Sequence, residues 1–201
     1  MPNNELKIAE VIMTSSTGFT AQCYDLAAAP ALGSLVKTSV DNAVIYAVVA
    51  HVSTTSLEPG RKPVARGKDE DTEEAIFKAN PHLEKLMRCE VEAIIVGHDI
   101  DGEVRYHLPP RPARLHGFVY DCGTDEVKVF SQKTGFIPLL LAAQGAVSAE
   151  EMTAAAIRRM SASYNSGDER RQFLVTAGRA LAQLLSADYN RLKTILERLA
   201  V

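Results

Sequence analysis

The pattern of apolar and polar positions divides the chain into two halves. In the first half, apolar residues alternate with polar ones or form short β-branched runs, which predicts strands. The predicted strands cover residues 8–15, 19–24, 33–38, 44–53, 90–99 and 103–108. Asp101-Gly102 joins the last two as a hairpin, because this residue pair favours a tight turn. Six short strands in about 100 residues predict a small closed β-barrel.

The second half has a helical period. After about Thr124, apolar residues recur every three to four positions, with alanine and leucine dominant. Ser148 and Glu151 form a capping box at the start of one predicted helix. Between the halves, Pro-Pro-Arg-Pro-Ala-Arg at 109–114 can continue neither a strand ladder nor a helix. The predicted fold class is α+β, with a six-stranded barrel over 1–108, a proline-rich linker and edge segment over 109–123, and a helical bundle over 124–201. Within the edge segment, residues 117–122 predict either one more strand or an extended edge.

An insertion over residues 54–88 interrupts the predicted barrel between its fourth and fifth strands. Its first part is basic and then acidic, a pattern typical of a solvated loop. Its second part predicts two short helices, the first capped by Thr72 and the second begun by Asn80-Pro81. In the first of these helices we expect Ile76 and Phe77 to face inward. In the second we expect the same of Leu83, Leu86 and Met87. A strongly charged, projecting insertion is also typical of a docking loop, so both interpretations stay open.

Composition places the chain among ordinary globular proteins. It has 201 residues, 46% of them hydrophobic, and a formal net charge of −3. The longest apolar run, 136–143, is shorter than the roughly 20 residues of a membrane helix, and the N-terminus has no secretory signal pattern. The three cysteines, at 23, 89 and 122, are an odd number without close spacing, which argues against a disulfide framework. We therefore expect a cytoplasmic protein that does not insert into membranes.

Three segments of the first half carry a resemblance to a known barrel. They are KIAEVIMTSSTGFTAQCYDL from Lys7, LGSLVKT from Leu32 and AVIYAVVAHVSTTSLEPGR from Ala43. Their signals are an I-x-x-V opening strand, the aromatic Phe19 at the start of the second strand, G-x-x-V from Gly33, and a long apolar fourth strand. This order resembles the HAS barrel, which stands at the front of HerA-type translocases and of the catalytic subunits of rotary ATP synthases.

The resemblance implies a barrel that organises a ring and offers a docking surface, since in those relatives the barrel is not the catalytic part. It also implies a protein partner of the HerA-like or ATP-synthase-like kind, and a homo-oligomer. The ATPase domain of the relatives carries a G-x-x-x-x-G-K-[ST] phosphate loop, and this sequence has no such stretch. We therefore expect no ATP hydrolysis.

One cluster of candidate metal ligands is present. His98, Asp99 and Asp101 lie together, with His107 across the predicted hairpin, and such a set could hold a divalent metal. Strand alternation, however, sends His98 and Asp99 to opposite faces of the sheet. The turn itself accounts for Asp101. The cluster therefore predicts a structural turn rather than a metal site.

Nucleophilic chemistry has no stronger support. His116 could approach Cys122 or Asp121, but a catalytic Cys–His pair needs an orienting third group and an activated thiolate. Neither is indicated, and no G-x-S-x-G sequence is present. Cys23 and Cys89 are typical of buried small apolar residues. We expect no catalytic residue, no cofactor and no metal, and hence no enzyme.

The basic residues support two hypotheses about binding. Contacts to a protein partner could come from the insertion and from the proline-rich segment, through Arg61, Lys62, Arg66, Arg111 and Arg114. Contacts to nucleic acid could come from the barrel or from the helices, through Arg158, Arg159, Arg170 and Arg171.

The charge distribution decides between these hypotheses. Residues 1–108 carry ten basic against sixteen acidic side chains, and the chain has no Trp. Single-stranded nucleic acid would instead require a basic groove with aromatic platforms. We expect a non-catalytic scaffold or regulatory module that acts through protein contacts, and the alternative is a weak nucleic-acid-binding accessory protein.

Overall fold

The computed structural model describes residues 6–58, 60 and 62–199. Within them the strands are β1 (Lys7–Thr14), β2 (Gly18–Cys23), β3 (Leu35–Val40), β4 (Ala43–Ser56), β5 (Met87–Ile100), β6 (Glu103–Arg105) and β7 (Phe118–Asp121). The helices are α1 (Glu73–Ala79), α2 (Thr124–Ser131), α3 (Ile137–Ala142), α4 (Ala149–Ala162), α5 (Gly167–Leu184) and α6 (Tyr189–Leu199). The predicted α+β fold class is confirmed.

Six strands close into an antiparallel barrel. Neighbouring strands pair in the order β2-β1-β7-β3-β4-β5, and a further pairing of β2 with β5 joins the two ends. Each of these pairings is antiparallel. The register of β1 against β2 shifts between Val11 and Met13, and such a bulge bends a strand around a barrel. The pairing of β2 with β5 runs from Gly18 opposite Ile94 to Gln22 opposite Glu90.

The sixth barrel strand is β7, whereas the sequence predicted a strand over 103–108. β6 pairs with β5 alone and lies outside the closed ring. β7 pairs with both β1 and β3, and its Val119 is fully buried in the barrel interior. The prolines at 109, 110 and 112 have no backbone N–H to extend the β6 ladder. The chain therefore leaves β5 there and returns between β1 and β3, with Ala113 buried against the barrel core on the way.

Alternate residues of the strands fill the barrel interior. On β2 these are Phe19, Ala21 and Cys23, as the alternation predicted. On β4 one face joins the same interior cluster, and the opposite face packs against the helices outside the barrel. Burial on both faces explains why β4 reads as an almost unbroken apolar run.

The C-terminal helices pack on the outer face of β3, β4 and β5. A single hydrophobic cluster contains Leu35, Tyr46 and Val96 of the barrel wall together with residues of α2 to α6. The Lys37 ammonium on β3 and the Tyr46 hydroxyl on β4 both donate hydrogen bonds to the Glu126 carboxylate on α2, at 2.8 and 3.0 Å. The barrel wall and the helices thus share one core, reinforced by a polar contact.

The helix starts follow the predicted caps. The Ser148 hydroxyl accepts a hydrogen bond from the Glu151 backbone N–H at 3.3 Å at the start of α4. The Glu151 carboxylate does not complete the capping box and instead pairs with Arg158 and Arg198. No helix in the part of the chain that the structure describes has the length and hydropathy to cross a bilayer.

The second part of the insertion forms a helix, α1, and a short turn. The Thr72 hydroxyl caps α1 by accepting a hydrogen bond from the Ala75 backbone N–H at 3.2 Å, as predicted. The second predicted helix is reduced to a short 3-10 turn over Glu84–Leu86. Phe77 and Leu86, both predicted to face inward, are instead 44% and 38% exposed. A seven-residue helix buries none of its own residues, so it packs as the wall of a groove rather than as part of the core.

Candidate protein-interaction surface

A groove of about 210 Å³ lies at the base of the insertion. We call it the insertion groove. Its walls are the ends of β4 and β5, the extended segment 62–66, α1 and the 3-10 turn. A β-carbon at Gly67 would lie 2.5 Å from Cδ1 of Ile76, so the end of the extended segment rests directly on α1. This close approach holds the two walls together.

Apolar side chains dominate the insertion groove, and several of them face water. Val64 is 76% exposed, Phe77 is 44% exposed and Leu86 is 38% exposed. Ile76 and Met87, which also line the groove, are only partly covered. Single exposed apolar residues are normal, but a contiguous group around a concavity is typical of an interaction site. The geometry thus suits an apolar side chain or segment from outside.

The rim of the insertion groove carries positive charge. Lys62 and Arg66, both predicted as partner contacts, line it and are exposed. Arg66 reaches Asn80 at the end of α1 with a nitrogen–oxygen distance of 3.5 Å, which is a weak hydrogen bond at most. Glu58 supplies one negative charge on the same rim. The third predicted residue of this group, Arg61, lies outside the described residues.

The other two predicted contacts, Arg111 and Arg114, are remote from the insertion groove. The Arg111 guanidinium pairs with Asp41 at 2.9 Å, at the β3–β4 turn. That turn adjoins Ala43, the first residue of β4, whereas Ser56 at the other end of β4 lines the groove. Arg114 is exposed, and its backbone carbonyl closes a turn with Gly117. The structure therefore separates the two groups of basic residues by the length of β4.

The four helical arginines divide between two kinds of environment. Arg158 donates hydrogen bonds to the Arg198 carbonyl and to the Glu151 carboxylate, so it joins α4 to α6. Arg159 donates to the Ser34 hydroxyl at 3.3 Å, across a cleft between α4 and the barrel. Arg170 and Arg171 are exposed near the start of α5. Two of the four therefore make structural contacts instead of lining a common face.

Asp121 lies in the same cleft as Arg159, which holds about 260 Å³. Partial desolvation of its carboxyl group raises the pKa of Asp121, and the nearby Arg159 guanidinium opposes the shift. Cys122 also lines this cleft. His116 is not among the residues that line this cleft.

His116 pairs with Glu10. The His116 Nδ1 atom lies 2.6 Å from a Glu10 carboxylate oxygen, and the Tyr24 hydroxyl donates to the other oxygen at 2.9 Å. These two hydrogen bonds, that of His116 above all, lower the pKa of Glu10. Desolvation, followed by its hydrogen bond to Glu10, raises the pKa of Tyr24 to about 12. No sequence signal joins these residues. The β1–β2 pairing brings Tyr24 to Glu10, and the hydrogen bond of the His116 backbone N–H to the Val11 carbonyl brings His116 there.

The His98 cluster adopts the arrangement of a structural turn. The His98 ring is buried, and its Nδ1 atom lies 3.1 Å from the His107 carbonyl. An Asp99 oxygen accepts a hydrogen bond from the Gly102 backbone N–H at 2.8 Å and so caps the hairpin turn. Among the described residues, no group of three or more His, Cys, Asp or Glu side chains is placed to hold a metal ion.

No family model matches the chain. A search of curated proteins also finds no match. The strand pairing, the insertion groove and its charges therefore carry the functional argument.

Proposed function

We propose that this chain is a non-catalytic scaffold or regulatory module that binds a protein partner through the insertion groove. The observation that carries the proposal is the group of water-facing apolar side chains at Val64, Phe77 and Leu86, set around one concavity. Burying such surface against a partner is favourable by roughly 25 cal/mol per Å² of apolar area. A groove of this kind can supply the anchor pocket that protein interfaces use.

The charges on the rim specify the chemistry of the partner segment. Lys62 and Arg66 flank the apolar walls, and a complementary segment would place acidic residues beside an apolar anchor. The single Glu58 carboxylate leaves this rim with more positive than negative charge among the described groove residues. We therefore expect an extended or helical peptide with one or two large apolar side chains flanked by Asp or Glu.

The architecture of the barrel supports the resemblance to the HAS barrel, and we include that resemblance in the proposal. The fold is a closed six-stranded antiparallel barrel, which is the architecture that the resemblance implies. The helices cover the outside of β3, β4 and β5, while Tyr24 beside β2 and Phe118 on β7 stay 54% and 43% exposed. That uncovered wall would be available for contacts between copies in a ring. The HerA-like or ATP-synthase-like assembly is proposed as the partner on this resemblance alone.

Affinity capture with groove variants tests the proposal. Tagged protein is incubated with extract of the source cell, washed at high salt with nuclease, and its stoichiometric partners are quantified by mass spectrometry. Val64→Asp and Phe77→Asp place a charge in the groove, and each should reduce the captured partner at least tenfold. Val175→Asp is the matched control, because Val175 is an exposed valine on α5 outside the groove.

Three outcomes would contradict the proposal. Equal capture by the groove variants and by Val175→Asp would place the binding surface elsewhere. Loss of all capture on nuclease treatment would favour the nucleic-acid alternative, with the exposed Arg170 and Arg171 as its first candidates. A partner segment without acidic residues next to its apolar anchor would overturn the proposed partner chemistry.

A further inference from the structure

Two cysteines that are distant in the sequence meet inside the barrel. Cys23 is the last residue of β2, and Cys89 lies near the start of β5. Both belong to the hydrophobic cluster of the barrel interior, and their exposed fractions are 5% and 0%. Both are present as thiols in the structure.

The strand register places these cysteines opposite each other. β2 and β5 pair antiparallel, with Ala21 opposite Val91 and Gln22 opposite Glu90. Continuing the register by one residue sets Cys23 opposite Cys89. In the same register Thr17 lies opposite Ile95, and the Ile95 backbone N–H donates to the Thr17 carbonyl, so this is a hydrogen-bonded pair. Hydrogen-bonded and non-hydrogen-bonded pairs alternate along the ladder, and Cys23 with Cys89 is therefore also a hydrogen-bonded pair.

Directly opposite residues at such positions have Cα atoms about 5.5 Å apart, within the range of about 4.4–6.8 Å that disulfides span. Their Cβ atoms are also about 5.5 Å apart, more than the roughly 3.5–4.5 Å of a disulfide, so the bond requires the end of β2 to shift toward β5 by about 1 Å. The alternation of β2 and β5 turns both side chains to the same side, into the barrel. Burial, and secondarily the adjacent Cys89 thiol, raises the pKa of Cys23 from 9.0 to about 12. The closed barrel thus holds the two thiols side by side and favours the protonated form of Cys23.

We infer that Cys23 and Cys89 are a redox modification site, forming a disulfide across the β2–β5 seam when a low-molecular-weight disulfide is the oxidant. The Cys23 thiolate attacks one sulfur of glutathione disulfide, whose S–S bond breaks and releases one glutathione thiolate. The Cys89 thiolate then attacks the Cys23 sulfur of the mixed disulfide and releases the second. The two cysteine protons pass to the two glutathione molecules, and the oxidant takes up two electrons.

The end of β2 provides the route for this reaction. Cys23 ends β2, and the bends that follow place Leu26 and Ala29 against the interior cluster at this end of the barrel. Local opening of this segment exposes Cys23 without opening the whole seam. Thiol–disulfide exchange requires the thiolate, so in the closed state the reaction is slow. Cys122 belongs to the helix-facing cluster outside the barrel and is not opposite either cysteine.

Equilibration in glutathione buffers tests the inference. The full-length protein is incubated over a range of glutathione to glutathione-disulfide ratios, quenched with acid, unfolded and alkylated, and its intact mass is measured. We expect oxidised protein to take up one alkyl group, at Cys122, and reduced protein to take up three, one for each cysteine. Peptide mapping should identify a Cys23–Cys89 linkage, and the oxidised form should have a higher urea midpoint than the reduced form.

Matched variants separate the pair from the third thiol. Cys122→Ser should still form the disulfide, while Cys89→Ser should stop at the mixed disulfide of Cys23 with glutathione. Uptake of three alkyl groups at every ratio, including after unfolding and refolding in the same buffers, would overturn the inference. A mapped disulfide that contains Cys122 would overturn it as well.

Discussion

Gly33 and Ala155 are in backbone contact at the junction of the barrel and α4. A β-carbon at position 33 would lie 2.5 Å from the carbonyl carbon of Ala155. Gly33 also has a φ of +83°, in the left-handed region that favours glycine. Its N–H donates to the Val49 carbonyl at 2.9 Å, which fixes the loop to β4. Gly33 thus combines a required backbone conformation with a close approach between the barrel and α4.

Gly33→Ala should destabilise the protein by about 2–5 kcal/mol, since the overpacking cost adds to the left-handed conformational cost. Gly102→Ala is the matched control, because Gly102 has a φ of +82° and a β-carbon there would have nothing within 4 Å. It should cost only about 1–2 kcal/mol. Urea unfolding of both variants measures the difference. Equal free energies of unfolding would show that the α4 contact adds nothing at Gly33.

Arg158→Gln should destabilise the helical layer. The Arg158 guanidinium donates to the Arg198 carbonyl in the last turn of α6 and to the Glu151 carboxylate. The last carbonyls of a helix lack intrahelical partners and favour a cation. We expect a loss of about 1–3 kcal/mol for these charge-assisted hydrogen bonds.

The control for Arg158→Gln is Arg170→Gln, which alters an exposed arginine at the start of α5. Its effect on the free energy of unfolding should stay within about 0.5 kcal/mol. Thermal and urea unfolding of the two variants in parallel give the comparison. A larger loss in Arg170→Gln than in Arg158→Gln would contradict the structural role of Arg158.

Tyr46 should make the protein sensitive to alkali. Burial, followed by the charge of Glu126, raises the pKa of the Tyr46 hydroxyl above its usual 10.0. Above about pH 10 the unfolded chain loses this proton while the folded chain keeps it, so stability falls by up to about 1.4 kcal/mol per pH unit. Tyr46→Phe should lower stability near pH 7 but flatten this alkaline decline. Tyr189→Phe is the control, since Tyr189 is 72% exposed.

Urea midpoints from about pH 8 to pH 11 measure the alkaline slope of the three proteins. The slope of Tyr46→Phe should be smaller than that of the parent, and the slope of Tyr189→Phe should equal it. An unchanged slope in Tyr46→Phe would mean that other groups, such as Cys23, dominate the alkaline unfolding.

The barrel was predictable because most of its strands have local signatures. The alternation of Phe19, Ala21 and Cys23 gave the face of β2, and the apolar run of β4 reflected burial on both faces. The place of β7 in the barrel was harder to predict, since β7 has four residues and its partners β1 and β3 are distant in the chain. A short strand defined by non-local pairing leaves little periodicity in the sequence.

The candidate site was predictable only in part. The insertion and its basic residues Lys62 and Arg66 were identifiable from charge, but the groove depends on how the extended segment packs on α1. Phe77 illustrates the limit, because helical periodicity cannot tell a core-facing side chain from one that faces an open groove. The Cys23–Cys89 pair likewise depends on the β2–β5 register, which closes the barrel across 66 residues of sequence separation.

Glu10 should contribute stability that is lost in acid. The hydrogen bonds from His116 and Tyr24 lower its pKa below the usual 4.5, so the carboxylate is favoured in the folded state. The contribution is fully present above the unfolded pKa and disappears as the pH falls through the lower folded pKa. Glu10→Gln should therefore flatten the dependence of the urea midpoint on pH below about pH 5. Glu70→Gln, at an exposed position in the insertion, is the control and should keep the parent's slope.

His116→Asn separates the two partners of Glu10, because it removes the larger of the hydrogen-bond effects and leaves Tyr24 in place. Asn also tolerates the left-handed φ of 62° at this position, so the loop backbone is kept. Its acid slope should fall between those of the parent and of Glu10→Gln, and Tyr24→Phe should lie closer to the parent. If His116→Asn retained the full acid slope, the hydrogen bond with His116 would not be what favours the ionised form of Glu10.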